Sequence, residues 1–458
     1  MTLIIVTMLI LSYLLIATGH LTGVNKAAIA MFLGTIGWVV YVSWGTDFVM
    51  AQHPEDYLEW LSGAAPTSDT VKYYIYDNVF LKYVGKAAAI VMFLLATMSI
   101  VELLNNNGCF DFITEWIRTR NSKRLLWTIT FATFVLSANL DNLTTAITML
   151  VIMRNILQNS RQRMYVGSAI VLAANCGGCF TVIGDPIGLI LWGDGAITAS
   201  HFSAYLAVPA LAAWIIPTIM INRELPDRLD TAWSPSPYRG DDTRLNRWQR
   251  IVMLIVGIGG LWFIPTFHNI TKLAPFLGAL CVLSVLWVVN EAFNRKIIAT
   301  GQMTERRIPV SLQYGALQQM LFVMGIMLGM GVIAETGVWH DVATWFDTYI
   351  HDIWLMGIVA GLLSSIVDSF TIAISNISLY HVGGGDVAVN GNYWSVIAFA
   401  TAVGGCLLSV GSISGMALMK MEQVRLGWYI KHLTPKVILG WIVGYVVLWI
   451  ELHFLTTI

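Results

Sequence analysis

The chain has 458 residues, of which 57% are hydrophobic and 12% charged, with a formal net charge of −1. A soluble domain carries about 25% charged residues, so the composition excludes a soluble globular protein. The near-neutral balance gives no case for a nucleic-acid partner. The missing charge is explained by apolar runs, and a helix needs roughly 20 mostly apolar residues to cross a bilayer. About ten such segments fit along the chain. Trp38, Trp44, Trp192, Trp262, Trp428 and Trp441 stand at segment ends, where amphipathic rings prefer the lipid–water interface.

The first segment is Thr2–Thr18. No basic region precedes it, so it reads as a retained helix rather than a cleaved signal peptide. Ala27–Trp44 follows, with a lone Lys26 before it that gives no orientation. Residues 46–86 read as an external loop carrying Lys72, Lys82 and Lys86, and Ala87–Val101 leads to Glu102 near the end of its helix. Basic clusters Arg118–Arg124 and Arg154–Arg163 mark cytoplasmic loops. The stretch between them, Leu125–Leu157, is too long for one span and too short for two. It is expected to be a re-entrant hairpin. Next come the glycine-rich stretch Asn175–Gly188 and the basic segment 222–250, expected to be a cytoplasmic linker between residues 1–221 and 251–458.

The second part runs through Ile251–Phe267, Leu273–Val289 and Leu321–Ala334, with the basic cluster Arg295–Arg307 placed inside. Segments 334–352 and 381–394 hold no Lys or Arg and are placed outside. Ile353–Tyr380 between them is expected to be a second re-entrant hairpin, entering from the other face. Gly404–Gly415 is again glycine-rich, the cluster Lys420–Lys436 is cytoplasmic, and Val437–Ile450 is the last apolar run.

The two parts repeat one another. Ser137-Ala-Asn-Leu-Asp141-Asn-Leu-Thr144 matches Ser364-Ser-Ile-Val-Asp368-Ser-Phe-Thr371, a spacing of 227 residues. At the same spacing, Gly177-Gly178-Cys179, Gly184 and Gly188 match Gly404-Gly405-Cys406, Gly411 and Gly415. The charge pattern gives the halves opposite orientations. The expected fold is therefore an all-α polytopic membrane protein of two inverted-topology repeats, each with a re-entrant hairpin and a broken helix. That architecture belongs to secondary transporters.

Asp141, Asp185 and Asp368 lie in apolar surroundings with no nearby Lys or Arg in those segments. A charge at the bilayer centre costs about 2.5–3.5 kcal/mol. Such a carboxylate either holds a cation or is protonated, and a carrier exchanging the two needs both states. The competing reading for Asp141 and Asp368 is a hairpin cap; for Asp185, between Gly184 and Pro186, a turn or cap weighs as much as a binding role. Glu102 either relays protons or snorkels. Ser137, Asn142, Thr144 and Thr145 flank the first aspartate; Ser364, Ser369 and Thr371 flank the second. Hard cations take such oxygen ligands. Each glycine costs a helix roughly 1 kcal/mol against alanine. The clusters beside Thr181, Asp185, Ser409 and Ser412 therefore suggest unwound backbone with free carbonyls, close helix packing being the alternative. Cys176 and Cys179 form a C-x-x-C that reads as small packed residues rather than a metal or redox pair. No cofactor is indicated, and no nucleotide-binding motif appears.

These motifs resemble the NhaD-type sodium/proton antiporters of the ion transporter superfamily. The carrying segments are Ser137–Thr145, Ala173-Ala-Asn-Cys-Gly-Gly178, Ile183-Gly-Asp185 and Ser364-Ser-Ile-Val-Asp368. The resemblance implies exchange of external protons for cytoplasmic sodium or lithium, with cation-site roles for Asp141, Asn142, Thr144, Asn175, Asp185 and Asp368. It also implies a homodimer in the inner (plasma) membrane. Pro186-Ile-Gly188 stands where the family tends to carry hydroxyls, and Ser369 where asparagine is expected. The rival functions are a sodium-coupled carrier of a small anion, such as a dicarboxylate or arsenite, and an intramembrane aspartyl enzyme using Asp141 and Asp368.

Overall fold

The computed structural model describes residues 2–117, 119–231, 245–298, 310–350 and 352–454. Among them the regular structure is helical, with two isolated β-bridges. Among the described residues, seven helices are long and apolar enough to cross a membrane: Lys26–Ser43, Ser68–Asn106, Ala199–Asn222, Arg247–Thr271, Pro275–Asn294, Ala316–Glu335 and Thr434–Phe454. Shorter apolar helices include Thr2–Ala17 and the pair Ile353–Ile366 and Ser369–Leu379, which a short break separates. The protein is thus an all-α, multi-pass membrane protein. The basic clusters at 118–124, 223–250 and 295–307 fall partly outside the described residues.

Residues 46–86 are not a loop. They form helices Gly45–Gln52 and Pro54–Leu61, then the start of a continuous helical rod, Ser68–Asn106, with a π segment at Ile75–Phe80. Lys72, Lys82 and Lys86 ride on that rod. Their charges broke the apolar run in the sequence without breaking the backbone hydrogen-bond ladder.

The first hairpin is made of Ser122–Ser137 and Asn142–Ile156. Sixteen residues reach about 24 Å, less than the roughly 30 Å hydrocarbon core. Asn121 caps the first helix, accepting from Arg124 N, and Asp141 caps the second, accepting from Thr144 N. Both ends of the hairpin pair with one short segment. Asn121 bridges Arg228 and Leu157 bridges Thr231. Ser122 N donates to Asp227 O (3.1 Å), Leu229 N to Arg120 O (2.9 Å) and Gln158 N to Asp230 O (3.0 Å). The hairpin therefore begins and ends on one side of the molecule.

That side also holds the pairs Arg163–Glu422 (2.7 Å) and Lys436–Glu224 (3.0 Å). Helix Ala199–Asn222 leads from there to the opposite end, where Thr198 N donates to Asn390 Oδ1 (2.7 Å). Lys86–Asp194 (2.8 Å) belongs to this second belt. The second hairpin, Ile353–Ile366 and Ser369–Leu379, opens at this end: Asp352 caps its first helix and Tyr380 OH, just past its second, donates to Asp347 Oδ1 (2.8 Å).

The spacing of 227 residues returns as repeated contacts. Ser137 Oγ donates to Ala174 O (2.5 Å) and Ser364 Oγ to Thr401 O (3.0 Å). A Cβ on Gly184 would stand 2.7 Å from Ser137 O, and one on Gly411 2.6 Å from Ser364 O. In each half the hairpin packs so closely on the broken helix that only glycine fits.

Candidate ion site

Four breaks in helical backbone meet in the interior. Two are the hairpin tips at Ala138–Asp141 and Val367–Asp368. The others lie in the broken helices, between Ser160–Cys179 and Pro186–Gly193 and between Asn392–Gly404 and Ile413–Glu422. They surround a cavity of ≈ 30 Å³ lined by Asn142, Asn175, Asp185, Asp368, Ser369 and Ser412, together with Gln319 and Ser414.

Each carboxylate starts a helix. Asp185 Oδ1 accepts from Ile187 N (3.0 Å), and its Oδ2 from Asn142 Nδ2 (2.8 Å). Asn142 Nδ2 also reaches Asn175 Oδ1 (3.3 Å), and Asn175 Nδ2 donates to Ser414 Oγ (2.8 Å). Ser414 reaches Ser412 Oγ (3.3 Å), which caps the second broken helix by accepting from Gly415 N (3.1 Å). This chain ties the first hairpin to both broken helices. Asp368 Oδ2 accepts from Phe370 N (3.1 Å) and Thr371 N (3.3 Å), while its Oδ1 accepts no hydrogen bond. The capping that the sequence left as an alternative is what all three aspartates do, and it leaves carboxylate oxygen at the cavity for Asp185 and Asp368.

Asp141 is arranged differently. Oδ2 accepts from Thr144 N (3.0 Å) and Thr144 Oγ1 (3.1 Å), and Oδ1 from Gln319 Nε2 (3.1 Å). It reaches the cavity through Gln319, whose Oε1 is buried without a partner. Asp185 and Asp368 stand at the cavity wall, and Asp141 does not.

Several candidate residues are elsewhere. Ser137 and Ser364 bond backbone carbonyls of the broken helices. Ser409 Oγ lies 3.0 Å from Met419 Sδ. Thr145 and Thr371 keep buried, unpartnered hydroxyls without lining the cavity. Glu102 lines a second cavity of ≈ 50 Å³ with Asn105, Thr144 and Thr148. Cys176 and Cys179 are buried free thiols.

One expectation is corrected. The carboxylates do have a basic neighbour: Lys26 Nζ is 3.7 Å from Asp368 Oδ1. Lys26 starts helix Lys26–Ser43 and lies 342 residues away in the chain, so no local pattern could pair the two. Gln319 and Ser414 were also missed. The available signal for Gln319 was an amide at the edge of an apolar run, which many helices show.

Residues 1–391 match the family described as CitMHS, citrate transporter. The chain belongs to that family. Sodium/proton antiporter 2 of Arabidopsis thaliana is 30% identical over 363 residues, covering 79% of this chain and 84% of that protein. Sodium/proton antiporter 1 of the same plant is 30% identical over 361 residues, and the chain spans 61% of its length. The Na(+)/H(+) antiporter NhaD of Vibrio cholerae is 26% identical over 393 residues, covering 78% of this chain and 77% of that one. These relatives bear out the NhaD-type resemblance read from the hairpin and glycine motifs, and place this CitMHS member in the ion transporter superfamily. The solved structure of the YdaH transporter of Alcanivorax borkumensis shares the fold, with a TM-score of 0.59, 12% identity, and coverage of 94% of this chain and 99% of that one.

Proposed function

We propose that this protein exchanges sodium or lithium for protons across the inner plasma membrane, as a homodimer of chains each built from two inverted repeats. The observation that carries the reading is the ≈ 30 Å³ cavity where both hairpin tips and both helix breaks converge. Two carboxylates line it, with amide and hydroxyl oxygens of Asn142, Asn175, Gln319, Ser412 and Ser414. This is oxygen chemistry suited to a hard cation.

Ionised, Asp185 attracts a cation strongly in a low-dielectric surrounding, while Asp368 beside it is paired with Lys26. Protonated, Asp185 does not, so protons displace sodium from the same oxygens. The loaded or neutral site then passes to the other face as the halves move about it. Asp141 acts through Gln319, and Glu102 supplies protons through the neighbouring cavity and Thr144.

The citrate named in the family's description is the rival cargo. A small-ligand pocket has a volume of about 300–1,000 Å³, and a tricarboxylate calls for cationic partners rather than a wall of carboxylates. Cavity size and charge both favour the cation. The test is proton flux in vesicles containing purified protein, with sodium, lithium, potassium and citrate added in turn. Sodium or lithium alone should drive flux, and Asp185→Asn should abolish it. Flux driven by citrate, or full exchange by Asp185→Asn, would overturn the reading.

A further inference from the structure

The second hairpin carries a three-oxygen cradle whose occupant comes from the N-terminal part of the chain. Lys26 Nζ lies 3.0 Å from Val410 O, 3.3 Å from Val367 O and 3.7 Å from Asp368 Oδ1. Val367 is in the hairpin break and Val410 in the unwound stretch of the second broken helix, so both carbonyls lie outside regular helix. One carboxylate and two free carbonyls are what a hard monovalent cation takes as ligands. Lys26 is 8% exposed and Asp368 1% exposed. An ammonium is costly at such depth, and Asp368 Oδ1 accepts no hydrogen bond, so the contact is one of charge.

The first half has the same framework without the charge. The counterparts of Val367, Asp368 and Val410 at the 227-residue spacing are Leu140, Asp141 and Ile183. There the carboxylate receives the neutral amide of Gln319 at 3.1 Å.

We infer that the Lys26 ammonium is a tethered cation seated in the second repeat's own cation subsite, the cradle of Asp368 Oδ1, Val367 O and Val410 O, and closes it to sodium. Asp368 is thereby compensated from within the chain, and each chain carries one fewer inorganic cation than its duplicated framework would hold. Only the identity of the ion rests on the sodium/proton reading. The difference in ion count between variants does not.

The test uses the full chain purified in detergent, as wild type, Lys26→Met and Lys26→Arg. Equilibrium binding of radioactive sodium gives the ions held per chain. Sodium titration of thermal stability, with choline replacing sodium at constant ionic strength, gives a second readout. Lys26→Met should bind one more sodium per chain than wild type, and its stability should recover with sodium but not with choline. Lys26→Arg should match the wild-type count. If Lys26→Met does not yield monodisperse protein, Lys26→Gln replaces it. Equal sodium counts in wild type and the neutral variant would overturn the inference. So would stability restored equally by choline, or neutral variants that stay aggregated even at high sodium. A wild type that binds no sodium would overturn the proposed function, whereas a sodium gained by Lys26→Met would still support the tethered cation.

Discussion

Replacing Gln319 by leucine removes one amide while nearly keeping the volume. Gln319 is 4% exposed on helix Ala316–Glu335. Its Nε2 holds Asp141 Oδ1 at 3.1 Å, and its Oε1 has no protein partner at the cavity. A hydrogen bond to a charged group contributes about 1.5–3 kcal/mol. The substitution removes that bond and one cavity oxygen. At about 1.4 kcal/mol per tenfold, the sodium concentration giving half-maximal proton flux should rise about 10- to 100-fold. The assay is sodium-dependent proton flux in proteoliposomes, compared with Gln318→Leu. Gln318 does not line the cavity, and its substitution should leave that concentration within about twofold. A half-maximal concentration for Gln319→Leu within about twofold of wild type would refute the role given to Gln319 and, with it, the route by which Asp141 acts.

Gly404→Ala would set a Cβ 2.5 Å from Gly361 O, a backbone atom with little room to yield. Overpacking of that kind costs about 1–3 kcal/mol, so the melting temperature in detergent should fall, whereas Gly427→Ala, whose Cβ meets nothing within 4 Å, should leave it unchanged. Glu102→Gln should shift the pH profile of exchange while sodium-dependent flux stays measurable, since Glu102 shares its cavity with the Thr144 hydroxyl that bonds Asp141; an unchanged profile means that Glu102 only snorkels. His53 lies outside the long spans, its Nε2 2.7 Å from Oε2 of Glu335 at the end of one, and that hydrogen bond raises the histidine above its usual 6.5. The stabilisation is then full below about pH 6.5 and is lost as pH rises through the raised value. The difference in melting temperature between wild type and His53→Gln should shrink along that course, and a difference that is flat with pH would contradict it.

What the sequence made legible was local or duplicated. Apolar runs gave the long helices because each run reports its own burial. The 227-residue spacing picked out Ser137 with Ser364 and Gly184 with Gly411, and each pair makes matching contacts that lock a hairpin to a broken helix. That repeated pattern describes scaffold as much as site, which is why both serines prove to hold carbonyls rather than face the cavity. Asp185 was readable as an intramembrane charge, but not that Asn142 would bridge it to Asn175. Lys26 and Gln319 reach the aspartates across 342 and 178 residues, and no periodicity encodes such a meeting. Lys72, Lys82 and Lys86 hide the start of the rod over 68–106, because hydropathy follows charge whereas helix continuity follows backbone hydrogen bonds.

The proposed exchange makes sodium and protons compete for one set of oxygens. It is tested most directly by initial rates of sodium-driven proton flux in proteoliposomes, measured over a range of sodium concentrations at several fixed pH values. Competition at a single site predicts that the apparent sodium constant rises on acidification, approaching about tenfold per pH unit once the site is mostly protonated, while saturating sodium restores the maximal rate. A sodium constant that stays the same at every pH, with only the maximal rate falling, would contradict a shared site.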